Sequence, residues 1–338
     1  MQEKFRTMAN FLVEGDDKLI VKKLEIPLHV KKLETLLKRL PEQHLNYQVV
    51  KDHLARQIAG YNGEKDLGYY LNFLPDEKYF IFHDLRLFNG KNFFQMDIQI
   101  LSPRFILILE VKNISGILLF DSNFDQLIRT INEKDERFKN PILQVKQHQR
   151  QLKDWLITHK IPSVPIEALV VIQNPRTILK ATSNHPAISQ KVIHSENLQT
   201  RISTFENRYP NEVLTDKEIR KLTRLLMKKH TPNDPNILQQ YNISEKELLK
   251  GVHCPKCSSL PMKKIHGKWL CPVCQHTSNN AHIPALKDYC FLISSSITNK
   301  DARDFLQVAS GSVVKRIFHS MNLQYEGELK TRKYFLTF

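Results

Sequence analysis

Three residues near the middle of the chain, Asp97, Glu110 and Lys112, have the types and spacing of a metal-dependent hydrolytic site. In the run FILILEVKNI, the period-two alternation of a strand puts Glu110 and Lys112 on one face. Asp97 is the one acid in the preceding run, NFFQMDIQIL, and can approach Glu110 if the two strands pair. Two carboxylates aimed at one point suit Mg²⁺ or Mn²⁺, and phosphodiester hydrolysis needs such an ion. A structural ion pair beside a solvated aspartate would use the same residues.

Two kinds of hydrophobic pattern predict the elements that position these residues. Helical spacing predicts one helix ended by Pro41, a second that runs toward Gly60, and a third from an N-cap at Asn62 to Pro75. Strand-like runs at 79–88, 93–101 and 105–114 predict an antiparallel meander, which 116–121 continues. A helix from Pro141 to about residue 160 and a wholly apolar strand at 166–172 follow. These elements predict a mixed α/β unit over about 60–176.

The segment from about 55 to 176 resembles the nuclease-related domain (NERD) family of the restriction-endonuclease-like superfamily. The resemblance lies in four runs, GEKDL at Gly63 and Glu64, MDIQI around Asp97, LEVKNISG with Glu110, Lys112 and Gly116, and NPILQVKQH. It implies a restriction-endonuclease-like mixed sheet flanked by helices. It also implies that Glu64 joins the metal shell and that Gln144 and His148, four apart on one helix face, are site residues. The family's histidine after the aspartate is here Ile98, which strand parity points away from the site.

Four of the five cysteines form a separate cluster of two C-x2-C pairs. They lie at Cys254, Cys257, Cys271 and Cys274, with thirteen residues between the pairs. This spacing is typical of a zinc ribbon with a tetrahedral, structural Zn²⁺; disulfides or accidental spacing are the alternatives. His253, His266 and His276 are then bystanders or substitutes. Cys290, within YCFLI, is expected to be a packing residue.

The end of the chain predicts two short helices about a four-residue turn, the first capped by Thr298, followed by a possible hairpin. This order is typical of a helix-turn-helix with a wing, although an ordinary helical cap on the ribbon fits as well. The expected nucleic-acid contacts are Lys315 and Arg316 on the second helix and Lys330, Arg332 and Lys333 on the hairpin. Further upstream, Thr215 with Glu218 and Ser244 with Glu247 have capping-box spacing.

The net charge of +15 is concentrated in the second half of the chain. Residues 177–338 hold 24 basic and 13 acidic residues, whereas 60–176 hold 15 and 14. Such an excess favours a polyanion partner, although a solvated basic surface would show the same counts. The sequence has no membrane-spanning run and its start has no signal-peptide pattern, so a cytoplasmic location and no membrane partner are expected.

Five segments are expected: a helical extension at 1–54, the nuclease-related domain at 55–176, a helical connector at 177–250, the zinc ribbon at 251–280 and a helix-turn-helix-like unit at 281–338. The first hypothesis is a magnesium-dependent DNA endonuclease or nickase. The alternative is a non-catalytic nucleic-acid-binding or interaction protein that retains the fold. No sequence feature discriminates DNA from RNA as the substrate.

Overall fold

The computed structural model describes residues 20–75, 78–182, 186–328 and 331–338. The chain divides into two compact units. Unit one contains residues 57–233 together with the described residues before 27, and unit two contains 27–56 and 234–338.

The described residues form both helices and strands. The helices are α1 Leu28–Arg39, α2 Tyr47–Leu71, α3 Pro141–Thr158, α4 Pro186–Lys191, α5 Leu198–Arg208, α6 Asp216–Lys229, α7 Ile237–Gln240, α8 His282–Leu292, α9 Asn299–Leu306 and α10 Gly311–Ser320. The strands of unit one are β1 Ile20–Lys22, β2 Phe80–Phe88, β3 Phe93–Leu101, β4 Ile106–Lys112, β5 Ile117–Asp121, β6 Gln126–Ile131, β7 Lys134–Lys139, β8 Ile166–Ile172, β9 Ile178–Ala181 and β10 Val192–His194. Those of unit two are β11 Lys263–Lys264, β12 Trp269–Leu270, β13 Thr277–Ser278, β14 Ser296–Thr298, β15 Tyr325–Glu326 and β16 Lys333–Phe335. Short 3-10 turns occupy Ser195–Asn197 and Glu245–Glu247.

Unit one is built on a six-stranded mixed sheet with the order β1-β2-β3-β4-β8-β10. Strands β2, β3 and β4 form the predicted antiparallel meander, whereas β8 pairs in parallel with both β4 and β10. One face of the sheet packs against buried residues of α3 and α6, and the other against those of α2 and α5. The predicted mixed α/β class and the meander are therefore confirmed.

Local signals account for the elements around this sheet. Strand β8 has an apolar sequence because both faces of a central parallel strand are covered, and its residues from Glu167 to Ile172 are all buried. Helix α3 begins where predicted, since Pro141 occupies its first turn and the Asn140 side chain accepts a hydrogen bond from the Ile142 amide. The Thr215–Glu218 capping box at the start of α6 is also present.

Three sequence-based expectations for secondary structure were wrong. One continuous helix, α2, replaces the two helices expected on either side of Gly60 and Asn62, because packing overrides the low helix propensity of glycine. Strand β5 does not continue the meander, and it pairs with β6 and β9 in a separate sheet of order β7-β6-β5-β9. The stretch expected to be helical after residue 177 also contributes strands β9 and β10.

Unit two combines helices with two small sheets, β11-β12-β13 and β14-β16-β15. The predicted cap at Thr298 is confirmed, since Thr298 and Asp301 form a capping box at the start of α9. Ser244 and Glu247 form another, which caps a 3-10 turn. Arg39 is fully buried, paired with Asp288 at 2.7 Å, and it donates to the Gly251 carbonyl at 2.8 Å. Across the described residues, no helix combines the length and the apolar character needed to cross a membrane.

Candidate active site and cysteine cluster

A row of acidic residues lies across strands β2, β3 and β4, at the step where the β3–β4 ladder ends. The last pair of the β3–β4 ladder is Ile98 with Leu109, so the next opposed pair would be Asp97 with Glu110. At this step the Asp97 carboxylate accepts a hydrogen bond from the Val111 amide at 2.8 Å. A side-chain oxygen thus takes the place of a backbone acceptor, and the ladder ends with two acids side by side.

Strand β2 adds a third acid, Asp84, which the sequence analysis missed. Its neighbours pair with the neighbours of Asp97, so Asp84 lies opposite Asp97 in the register. Asp84 is half-buried, and its backbone has a φ of 51°, a left-handed conformation that is unusual within a strand. Gln95 donates a short hydrogen bond to its carboxylate. We call Asp84, Asp97 and Glu110 the carboxylate row.

In β2 and β3, the alternation of side chains between the two faces of the sheet is interrupted at Asp84 and Asp97. On β2, Phe82 and Leu85 belong to the same core although they are three residues apart, which breaks the period of two. On β3, Met96 lies in that core whereas Ile98 lies in the core on the other side of the sheet. The acids occupy the position at which neither strand inserts an apolar side chain. A local signal for Asp84 does exist, since it is the one acid in the strand FIFHDLRLF.

Glu110 and Lys112 lie close to two side chains of α3, Gln144 and His148. The Lys112 ammonium lies 2.6 Å from Glu110 Oε1 and 3.5 Å from the Gln144 side-chain oxygen, and His148 Nδ1 lies 3.9 Å from Glu110 Oε2. Glu110 is only 2% exposed, and both its Oε2 and His148 Nδ1 lack a hydrogen-bond partner within the described parts of the chain. Burial lowers the pKa of His148 and outweighs the opposing effect of Glu110, so the imidazole is neutral.

Glu64 reaches the same region from α2. The adjacent Gly63 packs so closely on Asn113 that an added Cβ would lie 2.6 Å from the Asn113 Cβ. The side-chain amide of Asn113 donates to the Ala59 carbonyl at 3.0 Å. This close approach holds α2 against the end of β4. Burial and then repulsion by Asp97, Asp84 and Glu110 raise the pKa of Glu64 to about 9.

The charges of this site favour a cation. Burial and then the Glu110 carboxylate raise the pKa of Asp97 to about 8, so the acids resist simultaneous ionisation. A divalent ion would relieve this repulsion and give the buried Glu110 Oε2 a partner. No three carboxylates of this site have oxygens within 4.8 Å of one another, so they do not form a closed chelate. Mg²⁺ commonly binds one or two carboxylates and keeps several waters. The residues therefore provide carboxylates but no closed chelate, and a divalent ion held here would keep several of its waters.

The four cysteines predicted to bind zinc come together in unit two. Their sulfurs lie within 4.8 Å of one another, and the Sγ–Sγ distances are 3.6 Å for Cys254–Cys274 and for Cys257–Cys271. Zn–S bonds of about 2.3 Å at tetrahedral angles require a sulfur separation of about 3.8 Å, so the cluster fits a Zn²⁺ ion. No histidine belongs to it, and Cys290 lies elsewhere, with its sulfur 3.5 Å from the Leu336 carbonyl.

The two C-x2-C pairs have the same backbone form. Ser258 and Gln275, each four residues after the first cysteine of a pair, have φ values of 60° and 58°. Their amides donate to the Cys254 and Cys271 carbonyls at 2.9 and 3.1 Å. These equivalent turns aim all four thiols at one point, as zinc knuckles do.

Of the cationic residues expected to contact nucleic acid, those that the structure describes lie on α10 and at the start of β16. Lys315 and Arg316 are exposed on α10, which packs on β16 through Phe318 and Tyr334, with ring centres 4.4 Å apart. Lys333 is exposed, whereas the Arg332 guanidinium lies 4.1 Å above the Tyr325 ring. Lys330 lies outside the described residues.

Part of the chain matches the model of a known protein family. No curated protein and no solved structure matched the chain. Residues 59–173, which contain the carboxylate row together with Glu64, Lys112, Gln144 and His148, match the family model of the nuclease-related domain, NERD.

Proposed function

We propose that this protein is a metal-dependent nuclease that hydrolyses phosphodiester bonds, acting on DNA as an endonuclease or nickase. The observation that supports this most strongly is the carboxylate row at the end of the β3–β4 ladder, with the Lys112 ammonium 2.6 Å from Glu110. The match of residues 59–173 to a nuclease-related family supports the same chemistry. Under this proposal, the mixed sheet and its helices are a restriction-endonuclease-like core.

The acids have distinct roles in the proposed site. Asp97 and Glu110 would hold Mg²⁺ or Mn²⁺, with Glu64 assisting from α2. The bound ion would bind a phosphate oxygen, favour formation of hydroxide and stabilise the leaving oxygen. Asp97 is held in place by the Val111 amide, and Glu110 by the ammonium of Lys112. Both carboxylates are therefore oriented before substrate or metal arrives.

Lys112 supplies positive charge rather than a base. Burial by itself lowers the pKa of Lys112, but Glu110 and Asp97 outweigh this effect and raise it, so the side chain keeps its proton at neutral pH. An ammonium at this position can donate to the attacking water or to a phosphate oxygen whose charge grows in the transition state. Gln144, 3.5 Å from the ammonium, and His148, beside Glu110, would position these groups.

The remaining parts of the chain are assigned to substrate binding and stability. The cysteine cluster would hold one structural Zn²⁺, since four thiolates complete the tetrahedron and exclude water. Helices α9 and α10 with the β15–β16 hairpin would act as a winged helix-turn-helix, in which Lys315, Arg316, Lys330, Arg332 and Lys333 contact DNA. We further propose a cytoplasmic location, and we propose that the five segments named above differ in role, although the chain folds as two compact units.

A cleavage assay tests this function. The purified chain is incubated with supercoiled plasmid, single-stranded DNA or RNA, each with Mg²⁺, Mn²⁺ or a chelator. We expect nicked or linear plasmid with either metal and none with the chelator. Asp97→Asn and Glu110→Gln should remove cleavage, whereas Asp154→Asn, an exposed acid on α3, should not. Equal cleavage by folded site variants would refute the site, and DNA binding without cleavage would favour the non-catalytic alternative.

A further inference from the structure

One face of α6 carries five positively charged residues. Their spacing of three, four, seven and eleven residues from the first places them on one side of the helix, and all five are exposed. They are Lys217, Arg220, Lys221, Arg224 and Lys228, which we call the basic face of α6. The opposite side of the helix buries Ile219, Leu222 and Leu226 in the core of unit one. The basic face therefore points to solvent from a firmly anchored helix.

Glu218 interacts with Lys221 from beyond ion-pair distance, and among the described residues no closer carboxylate neutralises the basic face. None of the ion pairs within 4.0 Å among the described residues involves one of its five members, although the chain pairs exposed cations elsewhere, such as Arg208. The two acids of α6, Asp216 and Glu218, lie in its first turn, and Glu218 binds Thr215 in the capping box. Cations three and four positions apart repel one another along a helix. A surface that serves only solubility would intersperse charges of both signs.

The basic face ends close to the strand that carries Asp84. After α6, the His230 ring accepts a hydrogen bond from the Arg86 amide at 3.2 Å, and the Thr231 amide donates to the Arg86 carbonyl at 3.0 Å. Arg86 follows Asp84 by two residues on β2. The eleven steps from Lys217 to Lys228 span about 16 Å at about 1.5 Å per residue, which equals about five base-pair steps of duplex DNA.

We propose that the basic face of α6 binds the sugar-phosphate backbone of the nucleic acid that the carboxylate row cleaves. This inference rests on the proposed nuclease function and adds the place where substrate is held. Regularly spaced cations without a carboxylate within 4.0 Å match a row of phosphates, and the attachment of α6 beside β2 brings that row toward the acids. Phosphate contacts of this kind position a substrate without reading its sequence.

A salt titration of DNA binding tests this proposal. Binding of a fluorescent 20-base-pair duplex to the full-length Asp97→Asn protein is measured by polarisation from 50 to 300 mM salt, because that background prevents cleavage. The test variant adds Lys217→Gln, Lys221→Gln and Arg224→Gln. The matched control instead adds Lys134→Gln, Arg137→Gln and Lys139→Gln, which remove three exposed cations from β7, where Asp135 and Glu136 lie between them. Circular dichroism checks that both variants fold; removing like charges from an exposed face should not destabilise α6.

We expect the test variant to bind DNA with a weaker dependence on salt than the Asp97→Asn parent. Each phosphate contact contributes about 0.9 to the slope of log affinity against log salt, so losing three should reduce the slope by about 2.7. The control should keep the parent slope, and two unrelated duplex sequences should lose affinity equally. An unchanged slope in the test variant, or an equal loss in the control, would overturn the proposal. So would a variant that loses affinity only for anionic vesicles or acidic peptides.

The same measurements separate this inference from the proposed function. If the wild-type protein fails to cleave but the test variant loses slope, the basic face is a nucleic-acid-binding surface and the nuclease assignment fails. If the wild-type protein cleaves and the slope is unchanged, only the inference about α6 fails.

Discussion

Replacing Lys112 by methionine should separate its structural, metal-binding and catalytic effects. Methionine keeps the length of the side chain but removes the ammonium that lies 2.6 Å from Glu110. Glu110 is 2% exposed and its other oxygen already lacks a partner, so the variant contains a buried carboxylate without a counter-ion. We expect a less stable metal-free protein, tighter metal binding and slower cleavage.

The size of each effect follows from this geometry. Removing one partner of a buried ion pair costs about 3–5 kcal/mol, and we take about 3 kcal/mol because the Lys112 side chain is 25% exposed. For a unit of this size, that loss lowers the melting temperature by roughly 6–12 °C. Mg²⁺ should restore most of the lost stability, since an ion at about a hundred times its Kd stabilises the folded protein by about 2.7 kcal/mol. Loss of an electrostatic group at the reacting centre should lower kcat by about 10²–10³.

Thermal unfolding with and without Mg²⁺, together with plasmid cleavage, measures all three quantities. Lys153→Met is the matched control, because Lys153 is exposed on α3. The Mg²⁺-induced rise in melting temperature should be larger in Lys112→Met than in the wild type, since a like charge beside the ion has been removed. Equal rises in the two proteins would show that no metal binds near Lys112. Unchanged cleavage would show that its ammonium has no role in the reaction.

Four further predictions concern the metals and pH. Asp97→Asn should weaken Mg²⁺ binding in calorimetry at least tenfold while keeping the fold, and an unchanged affinity would exclude Asp97 as a ligand. Because burial and neighbouring acids raise the pKa of Glu64 to about 9, protons compete with the ion, and Mg²⁺ affinity should rise from pH 6 to pH 9; a flat profile would contradict this. Elemental analysis should find one zinc per chain, lost in Cys257→Ser but kept in Asp97→Asn. Burial lowers the pKa of His282 to about 4, so unit two should lose up to about 3 kcal/mol as pH falls from 6.5 to 4, and His282→Asn should flatten this dependence of the unfolding free energy.

Features encoded by neighbouring residues could be predicted from the sequence. The meander, α3 and β8 have clear periodicity and turn residues at their ends, and the structure contains all three. The capping boxes depend only on residues three apart. The cysteine cluster follows from two pairs at ribbon spacing, since each tight turn fixes its own two thiols.

Features that depend on distant contacts could not be predicted in this way. Nothing in the sequence around Gly60 shows that α2 continues, because its packing partners lie far along the chain. Asp84 becomes part of the site only through the register of β2 on β3 and the positive φ that changes the face of β2. A strict period of two across this strand would assign the residues after Asp84 to the wrong face of the sheet.

The basic excess of residues 177–338 is divided between the two units of the fold. The basic excess lies at 177–338, but residues 177–233 are part of unit one and include the basic face of α6. The same stretch supplies β10 to the central sheet and Ile219, Leu222 and Leu226 to its core. A chain shortened near residue 177 would therefore lose core packing as well as cations, and weaker DNA binding by it would not identify the residues that hold phosphate. Neutralising exposed cations one surface at a time, with the core intact, separates these two causes.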